Sequence, residues 1–280
     1  MTQKEIYFYW GNQSMSFLRF MTLKSFNILN PEWRINLVVN PLPAENKWTS
    51  PEEQDNINYK GTDFRSEIPT LTNINIIDLN TIFPIDYKTM SNVHIKDILN
   101  WYLLSTRSCA VADMDIIFSQ PIDKTNGIDW NSHVNICNYD FYNDYIPVSF
   151  MLSDVTEDNK NDFYDVVYKN SIKKYNPNVY ESCGKNSIPY TSIYKIRENF
   201  KNLKIHKMDE MTVFPYVKTH ISNAGELCWV DNDNVITDPN SVGIHWYGGQ
   251  PTSQKFNNKI TMDNYTSFNN VICNTIKKII

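Results

Sequence analysis

Apolar and polar positions follow two rhythms along the first part of the chain. Ile6 to Trp10 is a continuous apolar-aromatic run closed by Gly11-Asn12, the pattern of a buried strand that ends at a turn. Ser14 is placed to cap a helix through about Leu29, because Phe17, Leu18, Met21, Ser25, Ile28 and Leu29 fall at helical spacing; Asn30-Pro31 stops it. Arg34 to Val39 reads as a second strand and Ile74 to Leu79 as a third. From Ser91 a new helical stripe runs through Ile95, Ile98, Leu99, Tyr102 and Leu103, with Asp97, Asn100 and Trp101 away from its centre. Cys109 to Ala112 is another apolar strand, ending in Asp113-Met114-Asp115 and followed by Ile116-Ile117-Phe118. Strand, helix and strand in this order predict a parallel α/β sheet.

Pro41 to Thr72 breaks the rhythm. It is polar, lacks a clear period and carries prolines at 41, 43, 51 and 69, so a long excursion is expected there, placed to fold over a site. Farther on, strands are expected at 133–137, 145–152, 203–207, 211–214, 227–230 and 242–247, and helices near 159–174, 188–200 and 262–277. Without an internal repeat or a low-complexity linker, the chain reads as one domain, with 1–122 as a first half and 123–280 as a second.

Composition narrows the class. A chain of 280 residues at 41 % hydrophobic content can bury one substantial core, and 14 % aromatics with 20 % charged residues exclude a disordered tail. A net charge of -5 excludes a strongly cationic coat for nucleic acid. The lysines at 169, 173, 174, 201, 204 and 207 cluster in sequence and fit either a local basic groove or a solvated surface. Five cysteines without a CxxC pair read as reduced thiols. The bias toward 36 Asn and 31 Ile against 8 Gly suggests AT-rich coding, as in a virus, phage or low-GC bacterium. No apolar stretch is long enough to cross a membrane, and the N-terminus has no signal-peptide pattern, so a soluble, cytoplasmic protein is expected.

The sharpest chemistry is Asp113-Met114-Asp115 at the end of a strand. In open α/β sheets ligands bind outside the carboxyl ends of the strands, and alternation puts Asp113 and Asp115 on one side of an extended segment. Two such carboxylates repel unless something positive lies between them, and a divalent cation with a diphosphate is one solution. A pair of turn or cap aspartates is the plain alternative. Late in the chain, His245 reads either as a satisfied histidine in a turn or as an imidazole that completes a cation site begun by carboxylates, and Gly248-Gly249 either as a hinge alone or as a segment that lets backbone amides approach a diphosphate and moves as a lid. Tyr9 or Trp10, before Gly11, can stack on a nucleobase.

The stretch Ile95 to Phe118 resembles the sugar-nucleotide signature of glycosyltransferase family 32 and, more distantly, of the large clostridial toxin glucosyltransferases. Asp97 takes the place of that signature's helix aspartate and Asn100 that of its arginine; Ser108-Cys109 replaces Gly-Gly, Val111 replaces a tyrosine, and Asp113 and Asp115 fall in register as the Asp-x-Asp pair. The opening Ile-Tyr-Phe-Tyr-Trp-Gly-Asn and the helix that ends in Asn30-Pro31 are similar to the same family, as is His245-Trp246 after an apolar strand. Arg107, Lys96 and Lys255 are the candidates to supply the charge that Asn100 lacks.

This resemblance implies a single α/β, GT-A-like domain with a mixed, mainly parallel central sheet flanked by helices, and a metal-dependent, DXD-type hexosyltransferase that uses a nucleotide sugar, with a UDP-sugar as the expected donor, and retains anomeric configuration. It implies Mn²⁺ or Mg²⁺ on Asp113, Asp115 and His245, with Asp113 and Asp115 as the catalytic pair. It implies a nucleotide-sugar site from Tyr9, Trp10, Gly11, Asp97, Asn100, Asp113, Trp246, Gly248 and Gly249. Residues 1–122 would then be the nucleotide-sugar half, and 123–280 the acceptor half with the C-terminal lid. A glycan, a protein or modified DNA is the expected acceptor. Two rivals remain: a metal-dependent phosphoester hydrolase on Asp113 and Asp115, with Asp123 and Asp129 nearby in sequence, and a catalytically weak sugar-binding member of the same fold.

Overall fold

The computed structural model describes residues 4–41, 59–138, 145–155, 161–214, 224–231 and 240–280. Nine strands and six longer helices organise these residues. The strands are β1 (Glu5–Trp10), β2 (Arg34–Val39), β3 (Ile74–Asp78), β4 (Cys109–Ala112), β5 (Ile116–Phe118), β6 (Val134–Cys137), β7 (Phe150–Ser153), β8 (Ile205–Met208) and β9 (Gly243–His245). The helices are α1 (Phe17–Leu29), α2 (Asn92–Thr106), α3 (Asp162–Lys173), α4 (Ile193–Asn199), α5 (Pro251–Lys259) and α6 (Val271–Ile279).

Seven strands form one sheet in the order β3-β2-β1-β4-β7-β6-β8, and β5 and β9 pair apart from it. The first four strands run parallel, β7 enters antiparallel between β4 and β6, and β8 is parallel to β6. The mixed, mainly parallel sheet expected from the sequence is therefore present.

Alternation along β1 shows how the core is split. Ile6, Phe8 and Trp10 pack with α1, β5, β9 and α6, whereas Tyr7 and Tyr9 pack with α2, α3 and α4. Both faces of the sheet are covered, which is why the parallel strands read as unbroken apolar runs. The same cover explains why Asp97, Asn100 and Trp101 of α2 are buried although they lie off its main stripe: α3 packs on that side, with Trp101 stacked on Tyr164 at 6.0 Å.

Several expected boundaries move. The cap of α1 is Ser16, whose Oγ accepts from the Arg19 amide, so the helix starts later than a cap at Ser14 would place it. The strand expected at 211–214 is a 3-10 turn at Glu210–Thr212, and that expected at 227–230 follows a helical turn at Ala224–Leu227. The helix expected over 262–277 is confined to α6, which starts after its Asn270 cap, and α5 forms ahead of it. Residues 42–58 of the expected excursion lie outside the described residues, and its later part contains a 3-10 helix at Phe64–Thr70. Among the described residues no helix is long and apolar enough to cross a membrane.

Candidate active site at the carboxyl end of β4

Strand pairing brings residues about 130 positions apart in the chain into one site. β5 pairs antiparallel with β9 so that Ile116 faces His245. The ladder continues one step farther, where the Trp246 amide donates to the Asp115 carbonyl at 2.9 Å. Asp115 thus stands beside His245 because two short apolar triplets share a register. Tyr247 then adopts φ +53°, in the left-handed region that a non-glycine residue enters only under constraint. The next amide, that of Gly248, donates to Asp115 Oδ2 at 2.8 Å. Ser253 at the start of α5 donates to the Trp246 carbonyl and accepts from the Trp229 indole, which ties the turn to that helix.

Asp113, Asp115 and His245 converge. His245 Nε2 lies 3.2 Å from Asp115 Oδ1 and 3.9 Å from Asp113 Oδ2. Burial alone would push the His245 pKa down, but Asp115 and Asp113 outweigh it and raise it to about 9. Burial alone would push Asp115 up, yet the His245 imidazolium, the Arg19 guanidinium and the Gly248 amide hold that carboxyl well below the usual range.

The three residues fit a divalent cation. Their ligand atoms all lie within 4.8 Å of one another, and buried Asp115 Oδ1 faces His245 Nε2. Octahedral bonds of about 2.1 Å would place ligand atoms about 3.0 Å apart when adjacent and about 4.2 Å when opposite, close to the spacings found. Two carboxylates and an imidazole suit Mn²⁺, which accepts mixed oxygen and nitrogen ligands.

A cleft of about 390 Å³ opens beside this cluster. Lys96, Asp97, Asp113, Asp115, His245 and Gly249 line it together with Tyr145, Tyr180, Glu181, Lys185, Phe214 and Gln250. The walls therefore come from both halves of the chain. Burial raises the Asp97 carboxyl despite its contact with Lys96. Lys96 Nζ lies 2.7 Å from Asp113 Oδ1 and 3.2 Å from Asp97 Oδ1, and these carboxylates outweigh burial and hold it firmly as an ammonium. Glu181 to Lys185 is drawn against α2 by the Trp101 indole, which donates to the Cys183 carbonyl at 2.8 Å, and by Gly184, whose lack of a side chain lets Asp97 approach.

The remaining expected site residues are not among those that line the cleft. Tyr9 donates to Asn92 Oδ1 and the Trp10 indole donates to the Gln13 carbonyl; both rings are buried, and Gly11 follows them beside Asn92. Asn100 is buried within the face of α2. Trp246 is fully buried, so its ring is a packing surface for Arg19 and Trp229 and has no face open to the cleft. Gly248 is pinned to Asp115 by its amide.

Arg19 is the residue that periodicity did not single out. It projects from α1 with 2 % of its surface exposed, 3.8 Å from Asp115 Oδ2, with its guanidinium 4.7 Å from the Trp246 ring and 5.9 Å from that of Trp10. The one available hint was a charge inside the otherwise apolar run Phe17 to Met21. Of the cations weighed against Asn100, Lys96 alone reaches the cleft: Arg107 is engaged with Tyr7, and Lys255 is exposed on α5. Asp123 bonds Lys4 and Trp33, and Asp129 bonds Ser132 and Lys204, so neither joins the Asp113–Asp115 pair.

No protein-family model and no curated protein matches the chain. Solved structures resemble it at low identity. The PaToxG glycosyltransferase is 13 % identical, with a TM-score of 0.47 over 71 % of this chain and 69 % of that one. The apo-form glycosyltransferase GlyE of Streptococcus pneumoniae TIGR4 is 14 % identical, with a TM-score of 0.48 over 88 % of this chain; the match spans 54 % of the GlyE chain. The galactosyltransferase LgtC, solved with donor and acceptor sugar analogs, is 12 % identical, with a TM-score of 0.43 over 88 % and 87 % of the two chains.

Proposed function

We propose that the chain is a metal-dependent GT-A-like glycosyltransferase that moves a sugar, with retention, from a nucleotide-sugar donor, a UDP-sugar first among them. The observation that supports this most is the convergence of Asp113, Asp115 and His245 at the carboxyl end of β4, at the wall of a cleft. Residues 1–122 would carry most of the donor site and 123–280 the acceptor side; the Gly248-Gly249 segment expected as a lid is held here by the Gly248 amide on Asp115 and by Ser253 on the Trp246 carbonyl.

Each residue has a task that matches its surroundings. Asp115 and His245 would hold Mn²⁺ or Mg²⁺, with Asp113 as the third ligand, directly or through water. When bound, the ion supplies Lewis-acid stabilisation of the charge that develops on the departing nucleoside diphosphate. Arg19 and the Gly248 amide fix Asp115 Oδ2 and leave Oδ1 aimed at the cluster. Asp97, on the cleft wall, would accept hydrogen bonds from sugar hydroxyls, and Gly249 presents backbone to the diphosphate. Retention would result from attack on the same face as departure, without a protein nucleophile. Proton NMR of the product from an anomerically defined donor tests it, and an inverted linkage would end that part of the proposal.

The acceptor is a glycan, a protein or modified DNA. Among the lysines considered for a basic groove, Lys169 pairs with Asp165, Lys204 with Asp129, and Lys174 binds the Asn186 carbonyl, which favours a solvated surface over a nucleic-acid track.

Thermal melts against a panel of nucleotide sugars, with and without Mn²⁺, test the donor site. A ligand at 100 times its dissociation constant adds about 2.7 kcal/mol. Stabilisation by one nucleotide sugar that needs metal and is lost in Asp115→Ala supports the proposal; no shift with any donor under any metal condition refutes it.

A further inference from the structure

We propose that Lys96 is a built-in counter-cation: its ammonium holds Asp113 when no divalent ion is present, competes with that ion for the carboxylate, and, once displaced, binds the diphosphate of the donor. The inference rests on the reading of the cleft as a cation and nucleotide-sugar site.

The balance of charge around the cleft leads to it. Three carboxylates, Asp97, Asp113 and Asp115, meet Lys96 and Arg19, while Glu181 and Lys185, also on the cleft wall, pair with each other. Lys96 and Arg19 are not equivalent. Arg19 is locked between Trp246 and Trp10 and has 3 % of its side chain exposed. Lys96 has 20 % of its side chain exposed, lines the cleft, and ends in a compact ammonium on a flexible four-carbon stem.

Asp113 is where the competition is felt. Its Oδ1 is taken by Lys96 at 2.7 Å while its Oδ2 faces His245 at 3.9 Å. A divalent ion on the His245 side would share one carboxylate with the ammonium, and like charges at that separation repel strongly in a partly buried site. The long stem gives the ammonium a way out into the cleft. There the strongest anion on offer is the diphosphate of the donor, which would take the ammonium as a hydrogen-bonding point charge.

This predicts effects of opposite sign from one substitution, which a purely structural lysine would not produce. Mn²⁺ affinity is read from the electron paramagnetic resonance of free Mn²⁺, and UDP affinity at saturating Mn²⁺ from titration calorimetry. Lys96→Met should bind Mn²⁺ at least about tenfold tighter and UDP at least about tenfold weaker than the wild-type chain. Lys96→Arg, which keeps the charge, should stay within about threefold of wild type on both. Lys96→Gln is the second neutral variant should Lys96→Met fail to fold. Unchanged or weaker Mn²⁺ binding in the neutral variants, or unchanged UDP binding, overturns the proposal while leaving the cation site in place. If neither the wild-type chain nor the variants bind Mn²⁺, the cation site itself is refuted, and the competition with it.

Discussion

Gly248→Ala is a small change at a place with no room for it. Gly248 has an ordinary negative φ, so alanine meets no backbone penalty, and the cost is steric. A Cβ there would lie 2.3 Å from Arg19 Nη2 and 2.9 Å from Arg19 Cζ. The guanidinium cannot retreat to water, because it is buried and flanked by Trp246 and Trp10. Either Arg19 shifts and loses Asp115, or the turn lifts and breaks the 2.8 Å bond from the Gly248 amide to that carboxylate. Overpacking of a tight site costs about 1–3 kcal/mol, and a hydrogen bond to a charged group is worth about 1.5–3 kcal/mol. Since the chain relaxes along whichever route is cheaper, a loss of about 1–3 kcal/mol is expected. A chain of 280 residues unfolds with an entropy of about 0.6 kcal/mol/K, so the melting temperature should fall by about 2–5 °C. Circular dichroism melts measure it, and the same substitution in an Arg19→Met background, where the clash is gone, should cost less than about 1 kcal/mol. A Gly248→Ala variant that melts within about 1 °C of wild type would refute the packing of Arg19 against this turn.

Mn²⁺ binding should strengthen with pH, because only a neutral imidazole can ligate and His245 in the cation-free protein titrates at about 9. Apparent affinity should rise by about tenfold per pH unit from 7 toward 9 and level off above, with calorimetry in buffers of different ionisation enthalpy reporting a released proton; a flat profile contradicts it. The sign for stability is the reverse: the folded pKa lies above the unfolded value of 6.5, so the stability that His245 contributes is complete below pH 6.5 and is lost as pH rises through about 9. Asp115→Asn leaves His245 and Arg19 buried beside a neutral amide and should cost about 3–5 kcal/mol in urea unfolding, whereas Asp113→Asn, nearer the cleft surface, should cost less than half as much; equal costs would contradict the assigned burial. All five cysteines are free and buried, and burial pushes the Cys183 thiol up to about 12, so a thiol reagent should label none in the native protein and all five in denaturant; one fast native thiol would contradict this.

The sequence made the first half of the fold legible because its signals are local. β1, β2, β3 and β4 are short apolar runs bounded by turns, and α1 and α2 carry clear helical stripes, so each was placed within a few residues. Asp113 and Asp115 stood out for the same reason, at the end of a strand that could be read directly. What escaped was set by tertiary pairing. Nothing local says that β7 runs antiparallel between β4 and β6, or that Ile116 and His245 share a register. Short apolar stretches such as 211–214 and 227–230 satisfy a strand pattern and a helical turn equally well, and packing against neighbours decided for the turn. Arg19 lay hidden because its value depends on Trp246 and Asp115, far away in sequence.

Which bond of a nucleotide sugar breaks separates a transferase from a hydrolase. Incubation of the wild-type chain with UDP-sugars and Mn²⁺, followed by chromatography of the nucleotide products, should release UDP through cleavage at the anomeric carbon, slowly to water and faster with acceptor, and Asp115→Ala should release none. Release of UMP with sugar 1-phosphate would instead show cleavage of the phosphoanhydride and contradict the transferase account in favour of a hydrolase.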